Sequence, residues 1–141
     1  MPSAIHCTAE DLWKVAQACW GEARGEAEMG RIAVAYVIRN RRDFHARWKN
    51  KSLYGIATAP YQFSCFNVGD PNKAKLDNIS VDDEMFCSCL LIAISVISGK
   101  AINPIGYSTH YFALGSKEPG WAKYRTAYSI IGNHQFYQGI A

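Results

Sequence analysis

The sequence predicts an α+β fold that is mainly helical, a helical core carrying a small β element. Three observations carry this expectation. Apolar residues recur at helical spacing over three long stretches between Ala9 and Ser98. The C-terminal third changes to short aromatic-rich runs separated by glycine and proline. The chain has 141 residues, 49% hydrophobic and 19% charged, which suits one self-sufficient core rather than disorder.

Thr8 followed by Asp11 forms a capping-box pattern, so a first helix is expected over 9–23. Its apolar positions Leu12, Val15, Ala16, Cys19 and Ala23 form one core-facing stripe. Glu22 lies roughly 80° from the centre of that stripe, half sheltered at its edge. Gly25 is expected to end the helix in a left-handed conformation. A second helix is expected over 27–41, and its run from Ile32 to Ile38 is apolar nearly all round, which places it at the centre of the domain. The polar segment 42–51 carries no clear assignment. Leu53 to Thr58 reads as a short helix stopped before Pro60, Tyr61 to Phe66 as an extended piece, and Asp70-Pro71-Asn72 as a turn. Ser80 and Asp83 resemble another capping start, before a third long helix over 85–98 closed by Gly99. Ser108 to Phe112 and His134 to Tyr137 read as short strands. Repeats, low-complexity stretches and linkers are absent from the sequence, so one domain over 1–141 is expected.

The net charge of +3 is mild. Lys and Arg cluster between Arg39 and Lys51, either a solvated basic face or a surface for a polyanionic or membrane-facing partner. No nucleic-acid-binding motif accompanies the cluster. The five cysteines, Cys7, Cys19, Cys65, Cys87 and Cys89, have neither disulfide-frame nor zinc-ligand spacing and read as reduced thiols made in a cytoplasm. Met1 to Glu10 lacks the basic and apolar regions of an export signal, and no window approaches the ~20 apolar residues of a membrane span. We therefore expect no stable membrane insertion, no metal, no cofactor and a monomer.

The chemically informative stretch is Gly21-Glu22-Ala23-Arg24-Gly25-Glu26. Gly25 between the two carboxylates assigns them different surroundings, Glu22 on the helix and Glu26 in the turn. Partial burial beside apolar groups raises a glutamate's pKa toward the range in which it can donate a proton to a leaving glycosidic oxygen. Taken alone, Glu22 is more readily read as a structural or solvated helix-end residue than as an acid. Amide, hydroxyl and aromatic side chains suit sugar recognition. Gln62, Phe63 and Ser64 on one extended piece are therefore candidates, as are Thr109 and Tyr111 on the same side of a strand. His110 is assigned to the opposite side. His110 and His134 read as hydrogen-bonded structural histidines, and Trp121 as either core or a sugar platform.

Trp20 to Glu26, Gly30, Ala33-Val34-Ala35 and Val37 to Arg41 together resemble the opening of the cell-wall hydrolase family typified by the spore-cortex lytic enzymes, the SleB-like proteins. Further matches follow in order: Gln62 to Phe66, Asp70-Pro71, Ser108 to Phe112, Pro119 to Ala122, and Ile131 to Tyr137. They span nearly the whole chain. The resemblance implies a lysozyme-superfamily-like helical fold acting on the β-1,4 bond between N-acetylmuramic acid and N-acetylglucosamine of peptidoglycan glycan strands. It implies Glu22 as general acid; Glu26, Gln62, Phe63, Ser64, Thr109, Tyr111 and Trp121 are the candidate substrate-binding residues read from the side chains themselves. A lytic transglycosylase of this kind needs no second catalytic carboxylate, because the muramic acid's own 6-hydroxyl attacks the anomeric carbon. A hydrolysing muramidase would want one about 5 Å away for retention or 6.5–9.5 Å for inversion, for which Glu26 and Asp70 are available.

Three other readings stand beside this one. A zinc amidase cutting the peptide from the glycan would need His, Asp, Glu or Cys ligands that the four scattered histidines do not group. A Cys65 nucleophile with His110 or His134 lacks a supporting context. The third is a non-catalytic wall-binding module. Where typical spore-cortex enzymes carry a signal peptide and often a wall-binding domain, this sequence suggests a single-domain phage endolysin. Such a protein accumulates in the cytoplasm of the infected bacterium and reaches the wall or periplasm after release.

Overall fold

The computed structural model describes residues 3–141. Met1 and Pro2, part of the N-terminal stretch read above for an export signal, lie outside the described residues. Helix α1 spans Ala9–Ala23, as its capping pattern predicts. Thr8 Oγ1 accepts from the Asp11 amide at 3.1 Å, and Asp11 Oδ2 accepts from the Thr8 amide at 2.9 Å. The buried face is wider than the predicted stripe, since Ala18 and Trp20 join Val15, Ala16, Cys19 and Ala23. The cause is that α1 meets α2, α3 and α5 at once.

The end of α1 corrects the expectation at Gly25, which does not adopt positive φ. Arg24 closes the helix instead. Its guanidinium folds back over the Trp20 ring at 4.0 Å, donates to the Trp20 carbonyl at 3.3 Å and reaches Asn72 Oδ1 at 3.0 Å. A cationic side chain thereby satisfies a carbonyl that the helix end would leave orphaned.

Helix α2, Glu28–Phe44, is the central helix, with every residue from Ala33 to Arg41 buried. It runs past the predicted end at Arg41 because its charged residues satisfy one another. Arg39 pairs with Asp43 at 3.1 Å one turn on, and Arg42 with Asp43 at 2.8 Å. Arg39 is 3% exposed, and its remaining donors go to the carbonyls of Val96 and Ser3. A buried guanidinium is tolerable only when satisfied in this way.

Helix α3, Leu53–Thr58, has the predicted bounds and is capped by Ser52 Oγ, which accepts from the Gly55 amide at 2.9 Å. The expected extended piece at 61–66 is instead a turn followed by a 3₁₀ turn, Ser64–Phe66. The Asp70-Pro71-Asn72 turn is in fact the start of helix α4, Pro71–Asp77. Asp70 Oδ1 accepts from the Asn72 amide at 2.8 Å, and Pro71 occupies the first helical turn. Turn residues and helix N-termini share this vocabulary, which explains the error. Helix α5, Glu84–Ile97, is capped by Asp83 rather than Ser80 and ends as predicted before Gly99, whose φ is +78°.

Three short strands follow: β1, His110–Ala113; β2, Ser129–Ile131; and β3, His134–Tyr137. They form an antiparallel sheet in the order β1-β3-β2, with Tyr111 opposite Phe136 and Ile131 opposite His134. The sequence announces β3 at its observed bounds, shifts β1 toward Ser108 and gives no sign of β2, whose three residues hold no alternation long enough to read. Phe136 is fully buried and belongs to the same core cluster as buried residues of all five helices. The sheet is thus packed onto the helical core, the α+β arrangement expected. Among the described residues, no helix is long and apolar enough to cross a membrane.

Candidate active site

Glu22 stands on the last turn of α1, where the helix meets the 3₁₀ turn at Ser64 and strand β1. The residue before it makes this meeting possible. A Cβ on Gly21 would lie 2.5 Å from Cys65 Cβ, so only glycine lets the helix approach the turn so closely. Ser64 Oγ consequently reaches Glu22 Oε2 at 3.4 Å, while the Tyr111 hydroxyl donates to Oε1 at 3.3 Å. Burial pushes the Glu22 carboxyl above its ordinary value of 4.5, with a smaller upward push from the charge of Asp70. The hydrogen bonds from Tyr111 and Ser64 oppose the rise without cancelling it.

The carboxyl opens onto a cleft of about 500 Å³ lined by Glu22, Arg41, Arg47, Tyr61, Gln62, Ser64, His110, Tyr111, Trp121, Ile140 and Ala141. Glu22 is the one acidic side chain in that lining. Arg41 is 4% exposed, donates from Nε to the Thr109 carbonyl at 2.8 Å and from Nη1 to Gln62 Oε1 at 3.1 Å. Its guanidinium also lies over the rings of Trp48 and Phe63, at 4.3 and 5.1 Å. Burial holds its pKa down to about 10, which leaves it charged at neutral pH. His110 is pushed down to about 4 by burial first, then by the charges of Arg41, His45 and Arg47, so it is neutral at physiological pH.

The structure brings together five of the predicted site residues: Glu22, Gln62, Ser64, Tyr111 and Trp121. Trp121 serves both readings made for it, lining the cleft while packing edge-on against His110, Phe112 and Tyr137. Three predicted residues fall outside the lining. Phe63 is 1% exposed and lies beneath Arg41. Thr109 is buried, its carbonyl holding Arg41 and its Oγ1 within 2.9 Å of His110 Nδ1. Thr109 precedes strand β1, and His110 and Tyr111 both line the cleft, so the alternation expected to divide them does not hold and His110 takes the place expected of Thr109.

Glu26 is committed elsewhere. Its carboxylate accepts from the Asn133 amide at 2.7 Å and from Asn133 Nδ2 at 3.1 Å. It fastens the β2–β3 turn, where Gly132 has φ +57° and any Cβ would sit 2.7 Å from Glu26 Oε1. His134 Nδ1 lies 3.6 Å from Glu26 Oε1 but makes no hydrogen bond, contrary to the hydrogen-bonded role expected of it. Burial lowers the His134 pKa despite the nearby carboxylate, so the pair is no ion pair near neutrality. Asp70 is likewise occupied in capping α4. The Cys65 thiol is buried and pushed up, chiefly by burial and then by Glu22, which makes it a poor nucleophile. Among the described residues, no group of three His, Cys, Asp or Glu gathers to hold a metal.

Sequence reasoning missed Arg41, Arg47, Tyr61 and His110 as cleft residues. Arg41 did carry a signal, a cation directly following the buried run of α2.

The cell wall hydrolase family model matches residues 25–137. The chain belongs to the cell wall hydrolase family. The matched span begins three residues after Glu22. This cell wall hydrolase is 32% identical over 126 residues to the spore cortex-lytic enzyme of Halalkalibacterium halodurans. That alignment covers 89% of this chain but 34% of the relative, so the chain spans about a third of the length of that curated protein. Its fold is that of the catalytic domain of the Bacillus cereus SleB protein, with TM-score 0.70 at 23% identity over 95% of this chain and 94% of that one. The catalytic domain of the germination-specific lytic transglycosylase SleB from Bacillus anthracis matches with TM-score 0.69 at 25% identity, over 96% and 98% of the two chains. The mainly helical fold with a small β element expected above is therefore also the fold of these two SleB catalytic domains.

Proposed function

We propose that this cell wall hydrolase cleaves the β-1,4 bond between N-acetylmuramic acid and N-acetylglucosamine in peptidoglycan, as a lytic transglycosylase with Glu22 as its acid. The observation that carries the reading is a single carboxyl in the cleft, raised in pKa by burial and gripped by two hydroxyl donors. Burial raises the Glu22 pKa and so favours the protonated form from which a glycosidic oxygen can take the proton. Tyr111 and Ser64 then stabilise the carboxylate left behind, so the donors act where charge develops. The carboxylate can next accept the proton of the muramic 6-hydroxyl as that oxygen attacks the anomeric carbon, giving a 1,6-anhydro product. Transglycosylation is favoured over hydrolysis because Glu26 and Asp70 are both engaged in structural hydrogen bonds and neither lines the cleft. The names of the relatives, a spore cortex-lytic enzyme and a lytic transglycosylase, agree with this chemistry.

Mass spectrometry of digested peptidoglycan tests the proposal. We expect 1,6-anhydromuramic ends from the wild type and a loss of about 10² to 10⁴ in rate for Glu22→Gln, the usual contribution of a general acid. Reducing muramic ends would replace the transglycosylase by a muramidase, and free stem peptides would defeat both.

For the biological setting we propose an endolysin acting in host-cell lysis as a monomer, made in the cytoplasm and released to the wall. Five cysteines, three of them buried as free thiols, suit manufacture in a reducing compartment. Expression with a pore-forming partner should lyse the cell, and lysis by this protein alone would refute that setting.

A further inference from the structure

Two guanidinium groups in the cleft lack an acidic partner. Arg41 and Arg47 both lie over the Trp48 ring, at 4.3 and 5.0 Å, close enough that each lowers the pKa of His110. Among the described residues, every ion pair involves other groups: Arg39 and Arg42 with Asp43, and Lys73 with Asp77. Glu22 shares the cleft, but its oxygens are taken by Tyr111 and Ser64 rather than by either arginine. The arginines differ in what they have left to give. Arg41 is buried and held by Thr109 and Gln62, whereas Arg47 is exposed and has no side-chain hydrogen bond among the described residues. Two like charges gathered without a counter-ion repel one another, and clefts that keep such a pair are candidate anion sites.

We infer that Arg47, with Arg41 behind it, is a specificity-determining residue that docks a carboxylate carried on the 3-O substituent of muramic acid. This inference rests on the glycosidase reading above. The planar guanidinium matches a carboxylate bidentately, and the Trp48 ring beneath it holds that plane in place. Two sources supply the same chemistry: the lactyl group of a glycan stripped of peptide, and the free carboxylates of an attached stem peptide.

Purified glycan strands in four forms distinguish them: peptide-bearing, enzymatically stripped to the lactyl acid, and each of these with its carboxylates converted to amides. The wild type should cleave at least one carboxylate form better than its amide, through a lower KM. Arg47→Gln should reduce that preference about tenfold, the scale of one charge-assisted hydrogen bond. Arg47→Lys should retain part of it. Lys49→Gln, which removes a neighbouring exposed charge outside the cleft lining, should change it less than twofold. Whichever carboxylate form loses its advantage in Arg47→Gln identifies the source. A wild type that cleaves acids and amides alike overturns the docking while leaving the glycosidase intact, as does an equal loss in Arg47→Gln and Lys49→Gln. A wild type that releases nothing from any of the four forms overturns the glycosidase reading and the docking with it.

Discussion

At the scale of single residues, the balance on Glu22 makes two predictions. Its pKa is raised in the folded state, so its contribution to stability is fully present below the ordinary value of 4.5 and is lost as pH rises through the folded value. Glu22→Gln should therefore melt at a higher temperature than the wild type at pH 7, with the gap closing as pH falls below about 4.5. A melting curve that is identical for the two proteins across that range would mean that burial does not strain this carboxylate. The second prediction concerns its donor. Tyr111→Phe keeps the ring stacked on Phe136 but removes the hydroxyl that pulls the Glu22 pKa down. The alkaline limb of kcat/KM should move to higher pH, and the plateau rate should fall about tenfold, the value of roughly one hydrogen bond to a charged group.

At the scale of elements, the cleft depends on how closely α1 meets the Ser64–Phe66 turn. Gly21→Ala pushes a Cβ into Cys65 and should cost about 1–3 kcal/mol, as overpacked sites do. Activity at a temperature where the variant remains folded should fall more than stability implies, since Ser64 moves away from Glu22. Glu26 acts on a different junction. Glu26→Gln weakens charge-assisted bonds to Asn133 and should lower the melting temperature, yet cleavage below that temperature should survive far better than in Glu22→Gln. Measuring both variants side by side separates the two carboxylates that the six-residue stretch Gly21 to Glu26 presents together. Nothing in that stretch says that one glutamate faces a cleft and the other fastens a hairpin more than a hundred residues along the chain.

For the whole molecule, His110 sets the opposite pH limit to Glu22. Its pKa falls from 6.5 to about 4 on folding, so the stability it contributes is present above 6.5 and is lost as pH drops toward 4. Stability plotted against pH should decline as pH falls from 6.5 to about 4, and His110→Gln should flatten the decline. The helices and the sheet share one core through Phe136. Melting followed by far-UV circular dichroism and by near-UV aromatic signals should accordingly coincide, as a single cooperative transition requires.

The sequence by itself determined whatever depends on near neighbours. The Thr8–Asp11 cap, the bounds of α1, α3 and β3, the buried character of α2 and the half-sheltered position of Glu22 all follow from spacing within one turn or one strand. Its motifs in order also pointed to the family. Only the tertiary structure decided which side chains share the cleft, because that depends on contacts between α1, the 3₁₀ turn and β1, elements far apart in the chain. Arg41 shows why. Its place after an apolar helix made it look like an end residue, whereas the packing of Trp48, Phe63 and the Thr109 carbonyl around it turned a buried cation into part of the site.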